Sequence, residues 1–148
     1  MASGPQVQAN LMEAGRLVRE AVERGAELVV LPEVFGIMGH QDSDAVKVAE
    51  VFGQGPMQDC ISRLARSLNV WIVAGTIPMQ SEQDGKYLAR SLVYDGHGEP
   101  IARYDKIHLF DVKVEEENHV YTESRTVVHG RRPVVVQPGW QAGAERLL

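Results

Sequence analysis

Two unbroken apolar runs, Leu28-Val29-Val30-Leu31 and Val70-Trp71-Ile72-Val73-Ala74, flank an amphipathic stretch, and this arrangement constrains the fold more than any other feature. A run without polar alternation suits a strand covered on both faces, as in a parallel sheet. Between them, from about Pro56 to Leu68, helical spacing places Met57, Cys60, Ile61, Leu64, Ala65 and Leu68 on one face. Strand, helix, strand reads as a βαβ unit with parallel strands and a right-handed crossover.

Upstream, Asn10 and Glu13 have the spacing of a capping box. Leu11, Ala14, Val18, Ala21 and Val22 continue the helix, and Gly25 supplies its stop. Downstream, Val70–Ala74 is expected to close at Gly75. Ser91–Tyr94 and Pro100–Tyr104 flank Asp95-Gly96-His97-Gly98, the signal of a β-hairpin. From Asp111 to Arg132 the chain is polar and reads as a long loop, followed by a short strand at Pro133–Val136. The class is α/β with a mixed sheet.

A chain of 148 residues has the length of one domain. Its 15 basic against 20 acidic residues leave a net charge of −5, which argues against a nucleic-acid or anionic-membrane partner. No apolar run approaches the ~18 residues of a membrane span. No basic-then-apolar leader follows Met1. One cysteine excludes a disulfide framework and fits a reducing compartment, so a cytoplasmic setting is expected. None of the five histidines falls in a metal-binding spacing, so no metal or cofactor is expected. Gly53-Gln54-Gly55 and Gly96-His97-Gly98 complete no phosphate loop and read as turns.

Glu33 follows the first apolar strand, where open α/β sheets place their ligands. Between Pro32 and Val34-Phe35 its carboxyl reads either as a general base with a raised pKa or as a solvated strand-end carboxylate; position alone favours the second. Lys106 follows the hairpin's second strand. It reads as a point charge for a developing oxyanion or as a surface lysine paired with Asp105 or Asp111, and alone the second again prevails. Glu123 lies in the polar segment and says nothing by itself. Arg125, Arg131 and Arg132 either bind a substrate carboxylate or neutralise the surrounding acids (Asp111, Glu115, Glu116, Glu117 and Glu123).

Taken together these segments resemble the nitrilase (carbon–nitrogen hydrolase) superfamily. Gly25-Ala26-Glu27-Leu28-Val29-Val30-Leu31-Pro32-Glu33 matches the family's first signature, and Tyr104 to Asp111 matches its lysine segment. Glu123-Ser124 matches a further glutamate segment, and Val73-Ala74-Gly75-Thr76 fits the second strand of the βαβ unit. The resemblance implies a partial α-β-β-α sandwich and a Cys-Glu-Lys hydrolase acting on a small-molecule amide. In it Glu33 is the base, Lys106 the oxyanion stabiliser and Glu123 the supporting carboxylate. The lysine and Glu-Ser segments look most like the branch acting on short ω-amides or deaminated glutathione. A homodimer is a further implication.

The sequence departs from the family at the nucleophile. Pro138-Gly139-Trp140-Gln141-Ala142-Gly143 fits the approach to a Cys-Tyr-Asp-x-Arg-Phe segment, but the cysteine's place falls near Leu147-Leu148. Cys60, on an apolar helix face, reads as a core hydrophobe rather than a substitute. The expectation is therefore one incomplete carbon–nitrogen hydrolase domain over residues 1–148, truncated before the nucleophile strand. Such a domain leaves sheet surface uncovered and tends to associate. The alternative is a non-catalytic remnant or association module of the same fold.

Overall fold

The computed structural model describes residues 1–114 and 119–137. Four strands, β1 (Leu28–Val30), β2 (Trp71–Gln80), β3 (Tyr87–Tyr94) and β4 (Pro100–Asp105), form one sheet in the order β1-β2-β3-β4. β1 and β2 are parallel, with Val29 opposite Ile72, as the βαβ reading requires. β2–β3 and β3–β4 are antiparallel, the latter being the expected hairpin. The sheet is mixed and the class α/β.

Helices α1 (Val7–Glu23) and α3 (Pro56–Leu68) cover one face of this sheet; a short helix, α2 (Ser43–Lys47), lies between β1 and α3 in sequence. Leu11, Ala14 and Val18 of α1 and Ile61, Leu64 and Ala65 of α3 join Ile72, Ala74, Leu92 and Tyr94 of the sheet in one core. Burying a side chain such as Ile61 completely stabilises by about 1.5–3 kcal/mol. Strand alternation turns Val73, Ser91 and Val93 to the opposite face. There Val30, Val73, Val93 and Ala102 stand in one cross-strand row.

That second face corrects the expectation for β1. Leu28 is exposed and Val30 is 65% exposed, because the helices pack on the other side. The apolar run carries a strand built for two covers, and the described residues supply one.

α3 occupies the expected span, with Pro56 in its first turn, where a missing N–H costs nothing. Its N-terminus is finished by a residue that periodicity does not reveal. Glu50 is buried, and its carboxylate accepts from Met57 N at 2.6 Å, Gln58 N at 3.2 Å and Gln58 Nε2 at 3.0 Å. A negative charge there also opposes the helix dipole. Gly55 makes room for it: a Cβ at that position would lie 2.3 Å from Glu50 Cδ.

Four other expectations change. α1 begins at Val7, and Asn10 is a buried internal residue rather than a cap. Its side chain accepts from Gly4 N and donates to Gly4 O and Gly36 O, which ties two loops together. Glu13 pairs with Arg16 instead. β2 runs through Gly75 to Gln80, since β3 pairs with it on both sides of a bulge between Ala74 and Ile77. The stretch from Asp111 contains a hairpin, β5 (Asp111–Val114) with β6 (His119–Thr122), followed by a 3-10 turn at Glu123–Arg125. Two-residue apolar pairs such as Val120-Tyr121 are too short to register as alternation, yet Phe110 and Tyr121 meet edge-to-face at 5.3 Å across it. Finally, Pro133–Val136 forms no strand: Val135 is 94% exposed and no strand pairs with this stretch among the described residues. The nucleophile approach at residues 138–148, and Glu115, Glu116 and Glu117, lie outside the described residues.

Candidate active site

Glu33 leaves the sheet just past β1. Leu31 N still bonds Val73 O at 2.9 Å, and two residues later the chain turns sharply. Val34 has φ 51°, a left-handed conformation that a β-branched residue adopts at a cost of about 1–3 kcal/mol. Its amide donates to Thr76 Oγ1 at 2.9 Å. The approach is tight enough to require Gly75, where a Cβ would lie 1.8 Å from Pro32 O. Ser91 Oγ donates to the carbonyl of Gly75 and holds the bulge from the neighbouring strand. Glu33 itself is solvent-facing, with 61% of its side chain exposed, rather than enclosed between Pro32 and Val34-Phe35.

Lys106 follows β4 directly. Its amide donates to Ala89 O at 2.9 Å, and its carbonyl accepts from Gly130 N at 2.7 Å. The preceding Asp105 forms a forked pair with Arg90, at 2.6 and 3.0 Å, which fixes the strand end. Asp105 is thereby committed elsewhere, and Asp111 accepts from Ser124 N at 3.0 Å. Neither is the partner of Lys106. Its ammonium instead reaches Glu33 Oε2 at 3.2 Å and both oxygens of Glu123, at 2.9 and 3.0 Å.

Glu123 heads the 3-10 turn, and its Oε2 also accepts from Phe110 N at 2.6 Å. Lys86 Nζ holds the next carbonyl, Ser124 O, at 2.7 Å. Tyr87 N donates to Thr126 O and Val128 N to Tyr87 O, both at 2.8 Å, stitching the turn to β3. Three strand ends and a turn thus bring together Glu33, Lys106 and Glu123, although 73 positions separate Lys106 from Glu33 and 17 separate it from Glu123.

Lys106 has 18% of its side chain exposed. Burial works against its charged form, but the hydrogen bonds and charges of Glu123 and Glu33 outweigh it and hold the ammonium above the usual lysine range. Burial, reinforced by the charge of Glu123, also pushes the neighbouring Tyr87 phenol up. A cation so held stays charged at neutral pH and can meet an oxyanion without moving. The cleft beside it, about 330 Å3, is lined by Val30, Glu33, Val73, Ser91, Tyr104 and His108. Its floor is the open face of the sheet.

Cys60 lies elsewhere. It is half-buried against the helix-covered core, beside a groove between α1 and α3 that also contains Arg19 and Arg63. Burial raises its thiol pKa, and the two arginines only oppose that shift. The sheet separates it from Lys106. Arg125 is exposed beside Phe110, Tyr121 and Glu123 in a hollow of about 350 Å3; Arg131 and Arg132 lie in a different groove with Lys86 and Arg103. Among the described residues no three His, Cys, Asp or Glu side chains gather as a metal-binding group. Nor is any described helix long and apolar enough to cross a membrane.

Sequence reasoning gives no role to the side chains of Thr76, Ser91, Arg90 and Glu50. The only local signal for Thr76 is a hydroxyl directly after a glycine in mid-strand, a pattern that reads more simply as a strand end.

A cation thus stands between two carboxylates at the open strand ends of a mixed α/β sheet. The carbon–nitrogen hydrolase family model matches residues 1–146, and the chain belongs to that family. It is 35% identical over 133 residues to a deaminated glutathione amidase of Synechocystis sp., covering 89% of this chain and 48% of that protein. It is 32% identical over 131 residues to the chloroplastic omega-amidase of Arabidopsis thaliana, covering 86% and 34%. The chain therefore spans about half or less of the length of these relatives. Among solved structures, Saccharomyces cerevisiae Nit3, a member of branch 10 of the nitrilase superfamily, superposes with a TM-score of 0.72 at 27% identity, over 88% of this chain and 46% of that one. An amidase from Nesterenkonia sp. AN1, carrying acrylamide added to its active site cysteine, shares the fold with a TM-score of 0.70 at 23% identity, over 94% and 50%.

Proposed function

We propose that this protein carries the base and the cation of a Cys-Glu-Lys amidase centre acting on short linear amides. The observation that carries the proposal is the Lys106 ammonium bridging Glu33 and Glu123 over an open cleft. The substrate class rests on relatives named for deaminated glutathione and ω-amides.

Glu33 takes the proton of an attacking thiol, and the thiolate adds to the amide carbon. Negative charge gathers on the former carbonyl oxygen, where Lys106 meets it. Glu33 returns the proton to the nitrogen as the C–N bond breaks, releasing ammonia and leaving a thioester. Water, deprotonated by Glu33, then cleaves the thioester and regenerates the thiol. Glu123 keeps Lys106 charged and aimed.

The thiol has to come from a residue other than Cys60, which lies across the sheet, so the 148 residues are proposed as one incomplete hydrolase domain. They act in a soluble, cytoplasmic setting and pair as a homodimer in the complete protein. The second reading, a non-catalytic association module, draws its support from the open row Val30, Val73, Val93 and Ala102.

Reading the coding DNA past the codon for Leu148 separates the two. A product that continues into a Cys-Tyr-Asp-x-Arg-Phe segment should release ammonia from short ω-amides. In that product Glu33→Gln is expected to lower kcat by about 10²–10⁴-fold, and Lys106→Met by about 10²–10³-fold. Turnover indifferent to Lys106→Met overturns the assignment.

A further inference from the structure

We propose that Thr76 is a positioning residue: its hydroxyl holds the chain at Val34 in the left-handed turn that aims Glu33 at Lys106. The inference rests on the reading of Glu33 and Lys106 given above and adds the device that joins them.

Several observations converge on it. Val34 is one of two non-glycine residues with positive φ among the described residues, and the only β-branched one. Left alone, a valine relaxes out of that conformation. Its amide points at Thr76 Oγ1, and Thr76 is buried, so the acceptor faces little competition from water. Thr76 is brought there by the β2 bulge between Ala74 and Ile77, a local break that re-aims one side chain. Gly75 admits the carbonyl of Pro32, and Ser91 clamps Gly75 from β3. Glu33 lies between the two anchored residues, Pro32 and Val34. Its own contact with Lys106, at 3.2 Å, is the longest of the three that the ammonium makes. Glu123 is held independently, by Phe110 N. Loss of the Thr76 hydroxyl should therefore release Glu33 and leave Glu123 in place.

The 15N resonance of the Lys106 ammonium reads both carboxylates separately. In the unaltered protein, E33Q and E123Q should each shift it. In a Thr76→Val background the E33Q shift should vanish while the E123Q shift remains; Thr76→Ser, which keeps the hydroxyl, should preserve both. Val34→Gly, which removes the conformational cost, should restore the E33Q shift to Thr76→Val. If Thr76→Val fails to fold, Thr76→Ala makes the same comparison. The proposal is overturned if the E33Q shift persists without the hydroxyl, or if both shifts disappear together, as a merely structural role requires. Neither result bears on whether Lys106 takes part in turnover, which the activity of Lys106→Met decides.

Discussion

The two faces of the sheet are held by different physics. On the helix side, Ile72, Ala74, Leu92 and Tyr94 are buried against α1 and α3, and shape and area account for their stability. On the cleft side the neighbours are an exposed Val30, a half-buried Val73 and three charged groups whose contacts run between distant segments. Apolar packing builds a platform; strand ends, a bulge and ion pairs build the site on it. The first depends on patterns that lie close together in sequence, the second on residues that meet only after folding.

Substitutions matched across the faces give the largest contrast. Ile72→Ala should destabilise by about 2–5 kcal/mol, whereas Val73→Ala, one residue away on the open face, should cost about 1 kcal/mol or less. Denaturant midpoints measure both, and equal losses would erase the distinction between the faces. Gly75→Ala comes next, since its methyl group collides with the backbone at Pro32; about 3 kcal/mol is expected, as for severe overpacking, with Glu33 displaced. Glu50→Gln should cost about 2 kcal/mol by weakening a buried acceptor that ends α3. A loss no larger than that of an exposed glutamate would show that the cap is unimportant.

The smallest effect is a pH dependence on the cleft side. The folded protein raises the pKa of Lys106, so its contribution is fully present below the ordinary lysine value of about 10.4 and fades as pH rises through the higher folded value. The stability difference between the unaltered protein and Lys106→Met should therefore shrink in strongly alkaline solution. A difference that stays constant from neutral pH upward would mean that the ion pairs add nothing.

Legibility in the sequence follows the same division. Pro56–Leu68 is readable because its apolar side chains keep helical spacing between two apolar strands; the structure ends the helix at Asn69, which takes the left-handed conformation. The hairpin around Asp95–Gly98 is readable from its turn. Glu33, Lys106 and Glu123 carry no signal one at a time, since a charged residue after a strand is ordinarily just solvated; only the order of three segments singles them out. Asn10 misleads because its amide serves two loops that are remote in sequence. Glu50 and Thr76 are invisible for the same reason: each matters for the backbone groups that folding brings to it.

The charged cluster and the chain's single thiol lie on opposite sides of the sheet. Ammonia release from a short linear ω-amide, measured for the 148-residue chain and for its Cys60→Ala variant, tests it most directly. No turnover above background is expected from either. Turnover by the unaltered chain that disappears in Cys60→Ala would contradict it.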